Sequence, residues 1–188
     1  INAPRTWEVR GEIFQAIAQS KDEAVKKLTD DPLTEALNSY KKALSLDQKG
    51  RNANSIKIKL TLMENDLMNQ AIESFNNEKY IKAQQSFEQI LEMKKLPIFA
   101  KDNAGAIDTV IIFNAGLAAF NAENYNQAIE YYKEAAKYGY NEGRTWTLLS
   151  KAHLENKDTL SAISSLQEAF KKYPTDNSIL VEMINIYI

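Results

Sequence analysis

The stretch TVIIFNAGLAAFNAENYNQAIEYYKEAAKYGYNEGRTWTLLSKAHLENKDTLSAISSLQEAFKKYPTD, residues 109–176, carries one pattern written twice, 34 residues apart. Ile112 maps onto Trp146, Gly116 onto Ser150 and Ala119 onto His153. Ala128, Tyr132, Ala135 and Tyr140 map in turn onto Ala162, Leu166, Ala169 and Pro174. A period in the low thirties marks a helical repeat, in which each helix pair needs its neighbours to bury its apolar face. Helices are predicted near 107–122, 125–138, 143–156 and 159–172, separated by turns at 122–124, 139–141 and 156–158.

The same register extends in both directions. Upstream, Leu67, Ala71, Phe75, Tyr80, Ala83 and Phe87 pair with Ile112, Gly116, Phe120, Tyr125, Ala128 and Tyr132 at an offset of 45. That predicts helices over 55–77 and 79–95, and an insertion at 98–108 that turns 34 into 45. Further upstream, Trp7, Gly11 and Phe14 sit on one face of a helix over 4–19. Asp31-Pro32 marks a helix start, and the helix runs to about Leu46. Ala36, Tyr40 and Ala43 repeat the spacing of Ala128, Tyr132 and Ala135, so 4–48 is the same unit with an expanded loop. Downstream, Leu180, Met183, Ile184 and Tyr187 fall at the positions of Trp146, Leu149, Ser150 and His153. Residues 177–188 thus read as the first helix of a truncated unit. Its apolar residues face most sides, where an end cap would show a polar outer face. The expected organisation is a single array of units at 4–48, 52–97, 109–142 and 143–176, closed by 177–188.

Composition narrows the function classes. The chain has 188 residues, 44% hydrophobic and 26% charged, with a net charge of −2. Up to Pro97 there are 15 Lys and Arg against 14 Asp and Glu; beyond it, 8 against 11. Neither part is basic enough for a nucleic-acid partner. No apolar run reaches membrane-spanning length. The absence of cysteine excludes thiolate chemistry and Cys-based metal sites. The chain starts at Ile1 and shows no signal peptide, and with its apolar last helix this reads as a processed or partial chain.

Asn114-Ala-Gly-Leu-Ala-Ala-Phe120, followed by Tyr125-Asn-Gln-Ala128, Tyr132 and Ala135, resembles the tetratricopeptide repeat. Trp146, Leu149, Ser150, His153, Ala162, Leu166, Ala169 and Pro174 stand at that family's pattern positions in the next unit. The likeness weakens over 4–48, where Arg10 stands at a position usually held by Leu. The resemblance implies an all-α right-handed superhelix of about four antiparallel helix pairs plus an unpaired C-terminal helix. It also implies a non-catalytic scaffold that binds a protein or peptide segment in a concave groove, with no cofactor and no metal. Carried over by position, the groove consists of Asn65, Met68, Asn69, Ile72, Val110, Phe113, Asn114, Leu117, Arg144, Thr147 and Lys151. Met68, Ile72, Val110, Phe113 and Leu117 would be its apolar floor. The alternative is an assembly or spacer module of a larger cell-envelope protein, self-associating through the 178–188 helix. The layout is also similar to exported multi-repeat proteins of Bacteroidetes, which implies a periplasmic or exported location.

The remaining candidates read as structural. His153 is the sole histidine and falls on a packed repeat position, with no nucleophile spacing around it and no second ligand four residues away. Trp7 and Trp146 hold bulky core positions. Tyr131 and Tyr138 read as partly exposed packing. The glycines form no phosphate loop. The family's carboxylate-clamp version needs a Lys/Asn/Asn/Lys/Arg set. Here Asn114 and Arg144 match it, while Met68, Ile72 and Leu148 do not, so the resemblance stops short of a clamp.

Overall fold

The computed structural model describes residues 3–102 and 107–187, and among these it forms ten α-helices with one short 3-10 turn and no strand. The fold class is all-α, built from packed helix pairs. Contacts group the chain into two compact units, Ile1–Glu73 with Glu88–Ala106, and Ser74–Phe87 with Ile107–Ile188.

In the first unit, α1 (Pro4–Gln19) packs on α3 (Pro32–Leu46), with the one-turn α2 (Glu23–Lys26) between them. Both long helices open on proline, whose fixed φ and missing N–H suit the first helical position. Asp31 holds the N-cap position, but its carboxylate accepts from the Thr34 hydroxyl at 2.6 Å and not from a backbone N–H. Gly11 lies against the fully buried Tyr40, and a Cβ there would stand 2.5 Å from the ring. Arg10 replaces the usual Leu by a different contact. Its guanidinium donates to Glu35 and Ser39, each at 2.6 Å, and lies 4.6 Å from the Phe14 ring centroid.

Helix α4 (Ala53–Asn76) runs beside α1 through a polar seam. Glu8, fully buried, accepts from Ser55 at 2.6 Å, from Asn52 at 2.7 Å and from the Lys59 ammonium, and it pairs with Arg5 at 2.9 Å. Lys59 also pairs with Glu12 at 2.5 Å. Asp66 accepts from Gln15 and Gln19, each at 2.9 Å. Burial alone would raise the Glu8 pKa. The bonds from Lys59, Ser55, Asn52 and Arg5 outweigh it and bring the carboxyl to about 2. Of the 98–108 insertion, Phe99 is buried within the 3-10 turn Pro97–Phe99 and Asp102 pairs with Lys57 at 2.6 Å; 103–106 lie outside the described residues.

The second unit holds the end of α4 and the start of α5 (Tyr80–Lys94). It then takes in α6 (Thr109–Asn121), α7 (Tyr125–Lys137), α8 (Glu142–Glu155), α9 (Thr159–Lys172) and α10 (Asn177–Tyr187). Helix α6 packs on α7, α7 on α8, α8 on α9, and α10 on both α8 and α9. Ala128, Ala135, Ala162 and Ala169 are fully buried, as the repeat register requires. A Cβ at Gly116 would first meet the Tyr132 ring, at 2.8 Å. The small residue makes room for an aromatic ring, as Gly11 does for Tyr40.

The duplication reaches the turns inside the pairs. Glu78, Glu123 and Lys157 occupy equivalent positions and all adopt left-handed φ, at 58°, 62° and 62°. The N–H of the next residue (Lys79, Asn124 or Asp158) reaches back to the carbonyl of Ser74, Ala119 or His153 at 2.8–2.9 Å. This is one helix-terminating motif used three times. Edge-on ring pairs clasp two of these turns, Phe75 with Tyr80 and Phe120 with Tyr125, at 5.2 and 5.6 Å between centroids. Helix α8 starts one residue before the predicted 143, because Asn141 at φ 53° turns the chain directly into it.

His153 is buried, with Nδ1 3.7 Å from the Asp158 carboxylate. Burial, reinforced by the Lys133 ammonium, lowers its pKa below the usual 6.5, although Asp158 and Glu130 pull the other way. A histidine with a lowered folded-state pKa favours the fold while neutral. Stability is therefore full above pH 6.5 and declines as pH falls from there toward the folded value. Urea midpoints measured from about pH 7.5 to about pH 5 should fall for the natural chain and stay flat for His153→Gln. Equal slopes for the two would remove His153 from the account.

Candidate interaction surface

First helices of the repeats expose the faces on which sequence register places partner contacts. In the first unit, Asn65, Asn69 and Ile72 are exposed along α4 and Met68 is half-buried; Ile72 is 49% exposed. In the second unit, Val110 on α6 is 47% exposed, and Asn114 and Leu117 are half-buried. On α8, Arg144 and Lys151 are exposed, and the half-buried Thr147 donates to the Arg144 carbonyl at 2.9 Å. Lys151 stands 3.6 Å from Glu182 on α10. Arg144 makes no ion pair among the described residues, and its guanidinium lies 5.9 Å from the Phe113 ring centroid.

Phe113 departs from the expected floor. It is 3% exposed, held between the Tyr132 and Tyr140 rings at 5.9 and 5.2 Å. Tyr140 ends its unit and folds back over α6, so a position that register places on the open face is roofed by the chain itself. Trp146 is buried under the Lys172 ammonium at 4.7 Å and Trp7 is half-buried, while Tyr138 is 43% exposed.

Two residues escaped the sequence reading. Ile58 and Leu62 on α4 are 64% and 58% exposed. They lie two turns and one turn ahead of Asn65, respectively, on the same face, and continuing the 65–69–72 spacing backwards would have found them. On α10, Ile179 is buried, while Leu180, Val181 and Ile184 are 39%, 55% and 56% exposed. No set of three or more His, Asp or Glu side chains able to hold a metal occurs among the described residues, and no described helix is long and apolar enough to cross a membrane.

Paired helices and repeated turns define an all-α helical-repeat architecture. Residues 113–177 match the family model for the tetratricopeptide repeat, and over that stretch the chain is similar to that family. Among curated proteins it is 31% identical over 98 residues to the photosystem I assembly protein Ycf3 of Prochlorococcus marinus strain NATL2A. To the protein of the same name from strain NATL1A it is 30% identical, again over 98 residues. Each alignment takes in 50% of this chain, and the chain spans about half the length (54%) of these relatives. Among solved structures, MamA 41-end from Desulfovibrio magneticus RS-1 aligns over 89% of this chain and 97% of its own, at 14% identity and a TM-score of 0.34.

Proposed function

We propose that the chain is a non-catalytic scaffold that holds a segment of a partner protein against the first helices of its repeats. The observation behind this reading lies in the second unit, where the exposed Val110 and the half-buried Leu117 stand two turns apart on α6. Apolar side chains grouped on an exposed face are a feature of interaction sites. Arg144 adds an uncommitted charge on α8, able to fix the direction of a bound segment. Relatives named for photosystem assembly support a role in holding other proteins, since assembly factors act by contact.

Val110→Glu combined with Arg144→Glu tests the reading, because both side chains are exposed and their loss leaves the core intact. Capture of the partner should weaken about tenfold or more, with an unchanged circular dichroism spectrum. Full retention of capture by the double variant would move the contact surface elsewhere. Phe113→Glu is unsuitable as a probe, since it buries a charge between two tyrosines.

A further inference from the structure

Phe113 stands on α6 between Val110 and Leu117, at a register position that faces outward. It is nevertheless buried, while Val110 is exposed and Leu117 half-buried. Its cover is the Tyr140 ring, 5.2 Å away and tilted by 56°. The repeat itself does not require that cover. At the same register in the next unit, Thr147 is half-buried and Pro174 is exposed.

Tyr140 is fixed by its backbone and lightly held by its side chain. Its N–H donates to the Ala135 carbonyl at 3.1 Å, and its carbonyl accepts from the Thr145 hydroxyl. The side chain is half-buried and rests on Phe113 by ring contact, and its hydroxyl makes no hydrogen bond among the described residues. The turn that carries it is strained. Gly139, Asn141 and Glu142 adopt left-handed φ, at 69°, 53° and 41°. The matching turn at 173–176 has no left-handed residue. Left-handed residues other than glycine cost free energy and gather at ligand clamps and switch regions. There is also room for movement at the start of this turn, since a Cβ on Gly139 would meet no atom within 4 Å.

The space under Tyr140 is already furnished for a ring. Phe113 and Tyr132 lie 5.9 Å apart between centroids, and the Arg144 guanidinium stands 5.9 Å from the Phe113 centroid. A tyrosine occupies this place in the free chain, which defines the kind of side chain it accepts. A guanidinium at that distance favours a ring over an aliphatic group.

We propose that Phe113 is the floor of a concealed subsite for an aromatic side chain of the partner segment, and that Tyr140 is the lid which the incoming ring displaces. The inference rests on the scaffold reading and specifies what the bound segment carries. Val110 and Leu117 border the subsite along α6, so the aromatic residue enters among apolar contacts. The closed lid lowers affinity by the fraction of chains in which it is shut.

Nuclear magnetic resonance of the full chain, followed at Phe113, tests this with N-acetyl-tyrosine amide and its leucine and serine analogues. The tyrosine compound should bind and shift the Phe113 ring signals, and the serine compound should not. Tyr140→Ala should tighten binding of the tyrosine compound about tenfold, while Asn141→Gly, which eases the closed turn, should weaken it about threefold. If either substitution leaves the affinity unchanged or moves it the other way, the lid is wrong. Absence of binding to Tyr140→Ala overturns the subsite, and equal binding of the leucine compound overturns its aromatic character. A Tyr140→Ala chain that no longer unfolds cooperatively would show Tyr140 to be core, which also sinks the proposal. The scaffold reading fails by a separate route, when Val110→Glu with Arg144→Glu leaves partner capture untouched.

Discussion

Glu8→Gln is expected to destabilise the chain by roughly 2–3 kcal/mol at neutral pH, more than any other single polar substitution in α1. The carboxylate is fully buried and gathers Arg5, Asn52, Ser55 and Lys59 around it. Removing its charge leaves the Lys59 ammonium with Glu12 as its remaining partner, which is why the cost stays below that of an orphaned buried charge. The folded pKa of about 2 lies below the ordinary 4.5, so the contribution is complete above pH 4.5 and is lost as pH falls from there toward 2. A shift of that size corresponds to about 3 kcal/mol, in line with the substitution. Thermal midpoints of the natural chain and Glu8→Gln should differ at pH 7 and converge near pH 2. Equal midpoints at pH 7 would show that the seam contributes nothing. The His153 effect lies in a higher pH window, so the two are separable in one titration.

Gly116→Leu is expected to cost roughly 1–3 kcal/mol by overpacking the α6–α7 crossing. Even a bare Cβ would stand 2.8 Å from Tyr132 Cε1 and 3.2 Å from Tyr131 Cβ. Tyr132 is fully buried and cannot swing into solvent. The cause is checked by a double-mutant cycle: Gly116→Leu should cost less in a Tyr132→Ala background, where the obstructing ring is gone. Additive losses would place the strain elsewhere, and an unchanged urea midpoint for Gly116→Leu would refute the repeat register at this position.

Most of the fold was legible because its determinants are local. Pro4 and Pro32 start their helices where the sequence says, and α9 runs over Thr159–Lys172 as predicted. Gly11 and Gly116 were legible as repeat positions, while the Tyr40 and Tyr132 rings that lie against them are visible only in three dimensions. The surface was harder to read. Phe113 shares its register with open positions, and nothing near it in sequence says that Tyr140 will roof it. Glu8 looks like any solvated helix acid, because Asn52, Ser55 and Lys59 lie 44 to 51 residues away. Ile58 and Leu62 were passed over for another reason: α4 already had a complete apolar face, and a second one is unexpected in a helix that needs only one to fold.

The three left-handed turns at Glu78, Glu123 and Lys157 bear on ancestry. Each is closed by backbone bonds to the helix just before it. A gene segment encoding one helix pair can be copied, or eleven codons added between pairs, without spoiling any turn already present. Chain length can therefore change between pairs, and sequence can change on the outward faces, while each backbone-closed turn keeps its bonds.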